Sequence, residues 1–163
     1  MSEHVARIDF LGTGNAFSPP GRMHALALID DRILIDTPPT VVTQLRRAGV
    51  SPGQLQHILF THWHGDHSFG FPFLLLDRKF LSDPKGEENL EVHLRPRGRK
   101  YLSTLCEMGF PGSLDDSLEG RVDWNEEESA IIGGSGWKYD RFPVHHTPET
   151  DPHGYELEHE SGF

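Results

Sequence analysis

The segment "FTHWHGDHSFGFPFLLL", Phe60–Leu76, decides how the chain must be read. It packs His62, His64, Asp66 and His67 into six positions, directly after the short apolar run "HILF". Residues two apart in an extended segment project to one side, so His62 and His64 can converge on one ion. Gly65 allows a tight bend, which turns Asp66 and His67 toward a second position nearby. Imidazole nitrogen and carboxylate oxygen suit zinc, and also manganese or iron. With two metals about 3.5–4 Å apart, a bridging water becomes hydroxide near neutral pH and can attack phosphorus or a carbonyl carbon. A lone histidine here would read as surface. The pattern His-x-His-x-Asp-His after a buried strand reads as a metal site.

Outward from that segment, strands dominate. "QHILFT" reads as a buried strand, and "FPFLLLDRKFLS" as a helix with Pro72 in its first turn. On the N-terminal side, Val5–Leu11 alternates apolar and polar residues and predicts a strand, which stops at the glycine–proline loop "GTGNAFSPPGR". "HALALID" and "RILIDT" predict a hairpin about Asp30-Asp31. "TVVTQLRRAGV" has helical spacing and a stop at Gly49. On the C-terminal side come an acidic loop ("DPKGEEN"), a strand ("LEVHL") and a helix ("GRKYLSTLCEMGF"). Residues 114–128 hold seven carboxylates against one arginine, which predicts exposed, irregular chain. "GWKYDRFPVHH" predicts a strand delivering His145 and His146, and "GYELEHESGF" a last strand. The expectation is a mixed α/β fold, one domain over residues 1–163.

Composition narrows the function classes. A chain of 163 residues, 36% hydrophobic and 25% charged, can build one core without disulfides. Its one cysteine, Cys106, rules out a cysteine-rich zinc site and, on "YLSTLCEM", reads as a core thiol. No basic leader and no apolar run of about 18 residues is present, so the expectation is a cytoplasmic protein with no membrane partner. The net charge of −10 argues against broad nucleic-acid binding. "HLRPRGRK", His93–Lys100, is a local exception that reads as a solvated turn opening a helix. "GTGNAF" is no dinucleotide loop, because the third glycine falls on Phe17 and Pro19-Pro20 block the helix. "SDPK", Ser82–Lys85, matches S-x-x-K by chance, lying in an acidic loop without partner motifs.

"THWHGDH" resembles the signature of the metallo-β-lactamase superfamily. "FLGTGNAFSPPGR", "ILIDT" and "HGDHSFGFPFLL" resemble its ribonuclease Z-like branch over most of residues 7–82, and the likeness resumes around 142–156. The resemblance implies an αββα metallo-β-lactamase sandwich with a dinuclear Zn2+ site on its upper edge, Mn2+ or Fe2+ being alternatives. His62 and His64 would bind the first metal; Asp66 and His67 would bind the second, with Asp66 also placed to orient or deprotonate the attacking water. The branch's later histidine precedes a Gly-Tyr, supplied here by "FPVHHTPETDPHGYELE". Its usual apolar–variable–His order favours His146 over His145, with His153 as a further option. Asp36, ending "ILID", either holds a ligand histidine by hydrogen bond or caps the turn before Pro38-Pro39. Trp63 either lines the substrate mouth or packs under the loop.

The implied activity is hydrolysis of a phosphodiester, a small molecule or an RNA 3′ end; other branches act on lactones or β-lactams. A homodimer is one implied assembly. The family pattern also calls for a bridging aspartate after the Gly-Tyr strand and a final histidine, and neither has a counterpart before Phe163. The expectation is therefore a sandwich incomplete at its C-terminus. The 163 residues then look like the N-terminal part of a longer enzyme, unless another chain supplies the missing part; the rival reading is a chain that binds metal without being catalytically complete.

Overall fold

Alternation along the strands sorts side chains into two cores, and the computed structural model, which describes residues 5–162, shows both. Six strands form one sheet in the order β1-β2-β3-β4-β5-β6. β1 (Ile8–Gly12), β2 (Leu26–Ile29) and β3 (Ile33–Ile35) pair antiparallel. Asp30 and Asp31, at φ 50° and 58°, are the central residues of the turn between β2 and β3, which the Arg32 N–H closes onto the Ile29 carbonyl (3.1 Å). From β3 onward the pairing is parallel, through β4 (His57–Leu59), β5 (Leu90–His93) and β6 (Val122–Asn125). Parallel neighbours need crossovers, and helices supply them. α1 (Val41–Arg47) joins β3 to β4. Between β4 and β5 come α2 (Gly65–Ser68) and α3 (Phe71–Asp77), and between β5 and β6 come α4 (Arg97–Gly109) and α5 (Asp115–Gly120).

Leu34, Ile58, Leu90 and Val92 face the helices and pack with Val41, Leu45, Phe71, Leu74 and Leu102. Ile33 and Leu59 point the other way. They meet Ile132, Trp137 and Tyr139 of a second sheet, β7 (Ser129–Ile132), β8 (Trp137–Pro143) and β9 (His153–His159), all antiparallel. Each such side chain fully buried contributes about 1.5–3 kcal/mol. The fold is thus α/β, layered helices, six-stranded sheet, three-stranded sheet, as in the αββα sandwich without its last helical layer among the described residues.

Residues 114–128 are not irregular: they contain α5 and the strand β6. Val122 and Trp124 alternate with Asp123 and Asn125, a period-two signal that the acidic composition hides, and β6 pairs with β5 along its whole length. The predicted helix at 71–82 is helical, but its last five residues, Arg78–Ser82, open into a π-helix. There the buried Arg78 guanidinium donates to the carbonyls of Pro52 (2.7 Å), Leu55 (2.8 Å) and Glu88 (2.8 Å). Cys106 is a core thiol, with burial pushing it up to about 12. No helix among the described residues is long and apolar enough to cross a membrane.

Candidate metal centre

The site lies at the carboxyl ends of the parallel strands, the edge where open α/β sheets bind ligands. Asp36 follows β3, and the histidine loop follows β4. Asp36 is buried at φ 67°, a left-handed conformation that Asp tolerates better than most residues. Its Oδ1 accepts from the Thr61 backbone N–H (2.8 Å), and its Oδ2 from Thr61 Oγ1 (2.6 Å) and His67 Nδ1 (2.8 Å). Thr61, its own proton committed, accepts from His62 Nδ1 at 2.9 Å. Both His62 and His67 therefore carry their proton on Nδ1 and present a bare Nε2. Of the two roles open to Asp36, Oδ2 takes the histidine-holding one, while Oδ1 fastens the Thr61 backbone.

His64 Nδ1 lies 3.0 Å from His146 Nε2, and the rings of His62, His64 and His146 have centroids 4.8–5.0 Å apart. One nitrogen from each lies within 4.8 Å of the others, a cup that fits the three-histidine zinc set with water as fourth ligand. His145 lines the same cleft but does not join this group. His153 is turned to protein: its Nδ1 donates to the Asp151 carbonyl (3.1 Å) and its Nε2 lies 3.3 Å from Tyr155 Oη.

Asp66 Oδ2 sits 3.4 Å from His67 Nε2, the nitrogen that Asp36 leaves bare. Asp36, His62 and His67 also cluster, but the Asp36 oxygens are already engaged, so this is a supporting group and not an open cup. Among the described residues, no group of three ligand-type side chains includes Asp66. Burial, reinforced by neighbouring histidines, holds His62 down to about 4. Burial also pulls on His67, but the Asp36 hydrogen bond and the charges of Asp36 and Asp66 outweigh it and raise that group above its ordinary value.

The loop backbone is pinned from α4. Tyr101 Oη donates to the Trp63 carbonyl (3.0 Å) and lies 3.1 Å from Ser68 Oγ, which itself donates to the His64 carbonyl (2.9 Å). Trp63 packs under the loop, its ring centroid 5.1 Å from those of Phe60 and Tyr101. Gly98 makes room for it, since a Cβ there would overlap the indole ring. Above the histidines opens a cleft of about 760 Å³, walled by the Thr13–Ala16 loop and by Val144–His146. Thr61 and Tyr101 are the site residues that sequence reasoning misses. Thr61 adjoins the motif, whereas Tyr101 lies 38 residues from Trp63 with no local signal.

A family model described as anti-Pycsar protein Apyc1 matches residues 6–108. The chain is 42% identical over 148 residues to a ribonuclease Z of Picrophilus torridus, covering 85% of this chain and 42% of that protein. The chain spans less than half the length of several curated ribonucleases Z it is similar to, from 28% to 44%. Its fold is shared with a diphosphatase of the PhnP family (TM-score 0.67, 23% identity, 94% of this chain and 63% of that one). The metallo-β-lactamase fold protein YhfI from Bacillus subtilis also shares it (TM-score 0.71, 16% identity, 96% and 59%).

Proposed function

Because this chain belongs to the family described as anti-Pycsar protein Apyc1, in the ribonuclease Z-like branch of the metallo-β-lactamase superfamily, we propose that it is a metal-dependent hydrolase of phosphodiesters. One observation carries the reading: the His62–His64–His146 cup stands beside the Asp66–His67 pair on the floor of an open cleft. The cup would hold one ion, and Asp66 with His67 would take part in holding a second. Zinc fits these nitrogen and oxygen donors, with manganese or iron as alternatives. When bound, such an ion lowers the pKa of water and offsets charge on phosphoryl oxygens.

The chain's own residues do the rest. Asp36 and Thr61 keep the Nδ1 protons in place, so that the bare nitrogens face the cleft. Asp66 orients the attacking water and accepts its proton at a carboxylate oxygen. The net charge of −10 over the 163 residues disfavours a long RNA, so a small phosphodiester is the preferred substrate and an RNA 3′ end the alternative. A second reading rests on the Asp66–His67 pair, which has no third ligand-type partner among the described residues. In that reading the cup holds an ion and the chain does not turn over.

The test is hydrolysis of bis(4-nitrophenyl) phosphate, and of a tRNA precursor with a 3′ trailer, by zinc- and manganese-loaded chain. Turnover of the aryl phosphodiester is expected, falling about 100-fold or more in His64→Ala and Asp66→Asn. Metal bound without turnover would select the second reading. Hydrolysis of lactones or β-lactams alone would move the chain to another branch's chemistry.

A further inference from the structure

Period-two alternation puts His57 of β4 and Glu91 and His93 of β5 on the face of the large sheet that meets the second sheet. That layer is otherwise an apolar core around Leu59, Trp137 and Tyr139, where a polar cluster costs free energy unless fully satisfied. His57 is 5% exposed and His93 0%, while the Glu91 side chain keeps 28% of its surface in solvent.

One atom from each side chain faces the others. His57 Nδ1 is 3.1 Å from Glu91 Oε2 and 3.3 Å from His93 Nε2, and His93 Nε2 is 3.6 Å from Glu91 Oε2. The far sides of the same groups are already occupied. His57 Nε2 donates to the Gly133 carbonyl at 3.1 Å. His93 Nδ1 lies 3.1 Å from Tyr139 Oη, whose own proton goes to the Glu127 carbonyl (3.2 Å), so His93 is the donor. Asn125 Nδ2 donates to Glu91 Oε1 at 2.9 Å. A neutral imidazole has one N–H, so these partners leave His57 Nδ1 and His93 Nε2 bare and aimed at the free carboxylate oxygen.

We propose that His57, Glu91 and His93 form a zinc site of their own, separate from the His62–His64–His146 cup. Four-coordinate zinc with bonds of about 2.0–2.1 Å spaces its ligand atoms about 3.3–3.4 Å apart, and the three separations here average about 3.3 Å. Two histidines and a glutamate are an established zinc donor set. The partners that fix each ligand's orientation are already present in Gly133, Tyr139 and Asn125. Glu91 supplies a negative charge to an ion here, while the Arg141 guanidinium, stacked 5.4 Å from the Tyr139 ring, lies 3.5 Å from Glu128. The rival occupant of the gap is a proton on His57 Nδ1, making a buried ion pair with Glu91; zinc would release it. An ion here would bolt β4 and β5 to the β7–β8 hairpin through Gly133 and Tyr139, a structural role.

Cobalt(II) in place of zinc tests the site, because its visible bands intensify on four-coordination. In the His62→Ala/His64→Ala chain, which lacks the cup, about one equivalent of cobalt should still bind with intense bands. Adding Glu91→Gln should weaken that binding about 10–100-fold. On the unchanged chain, long-range proton–nitrogen NMR should show His57 Nδ1 and His93 Nε2 moving to metal-bound shifts on zinc addition, whether or not any variant folds. Unmoved His57 and His93 nitrogens in excess zinc, or intense cobalt bands that survive Glu91→Gln, would overturn the proposal and leave a buried ion pair. Shifts at His57 and His93 without shifts at His62 and His64 would instead count against the cup alone.

Discussion

Asp36 Oδ2 accepts a hydrogen bond from His67 Nδ1 at 2.8 Å, and that contact decides which nitrogen of His67 is free. The same oxygen acts on His62 at one remove, through the Thr61 hydroxyl. One buried carboxylate thus sets the tautomer of two imidazoles. Asp36→Asn keeps the shape and tolerates the positive φ, but removes the charge and forces one amide N–H toward a donor. Zinc affinity at the cup and its neighbour should fall about 10–100-fold, read by competition against a chromophoric chelator. An unchanged affinity would show that the histidines orient themselves.

Tyr101→Phe deletes the hydroxyl that holds the Trp63 carbonyl while leaving the ring packing in place. A loss of about 0.5–1.5 kcal/mol in urea unfolding is expected, with the slope unchanged. A neutral result would mean that water replaces the phenol at no cost.

Gly98→Val drives a side chain into the space filled by the Trp63 indole. Overpacking of this kind costs about 1–3 kcal/mol. The urea midpoint should drop accordingly, and Trp63 emission should shift to the red as the ring is pushed toward solvent. Equal midpoints for the two proteins would contradict the packing described for Trp63.

Acid should destabilise the metal-free chain. His62 and His93 titrate at about 4 when folded and near their ordinary 6.5 when unfolded, so between those values the unfolded chain binds more protons. Stability is therefore complete above pH 6.5 and declines as the pH falls toward 4. Glu91, held down to about 2 by its His57 hydrogen bond, extends the decline below 4.5. His67 is raised and acts in the opposite sense, its contribution being full below 6.5 and lost as pH rises through its folded value. His153, also lowered by burial, acts with His62 and His93, so three lowered histidines outweigh one raised. Urea midpoints in EDTA should be lower at pH 4.5 than at pH 7, and a flat or inverted profile would refute the assignment.

How much of this was legible depends on distance along the chain. His62, His64, Asp66 and His67 stand in one loop after one strand, so local spacing suffices to mark them. The hairpin at Asp30-Asp31 and the strands on either side follow from period two and two turn residues. β6 was missed because seven carboxylates in residues 114–128 drown the alternation of Val122 and Trp124, which only pairing with β5 rewards. The His57–Glu91–His93 group was out of reach for a different reason. His57 and Glu91 become neighbours only through the parallel register of β4 and β5, a tertiary fact with no signature in either segment.

Trp63 occupies the position between two of the three cup histidines, and its ring is wedged between Phe60 and Tyr101 on the core side of the loop. An indole so placed is a fixed lamp beneath the cup. A paramagnetic ion entering above it should quench its emission. Occupancy of the centre can be followed by light from the unlabelled protein, in real time, as metals are added, exchanged or stripped away.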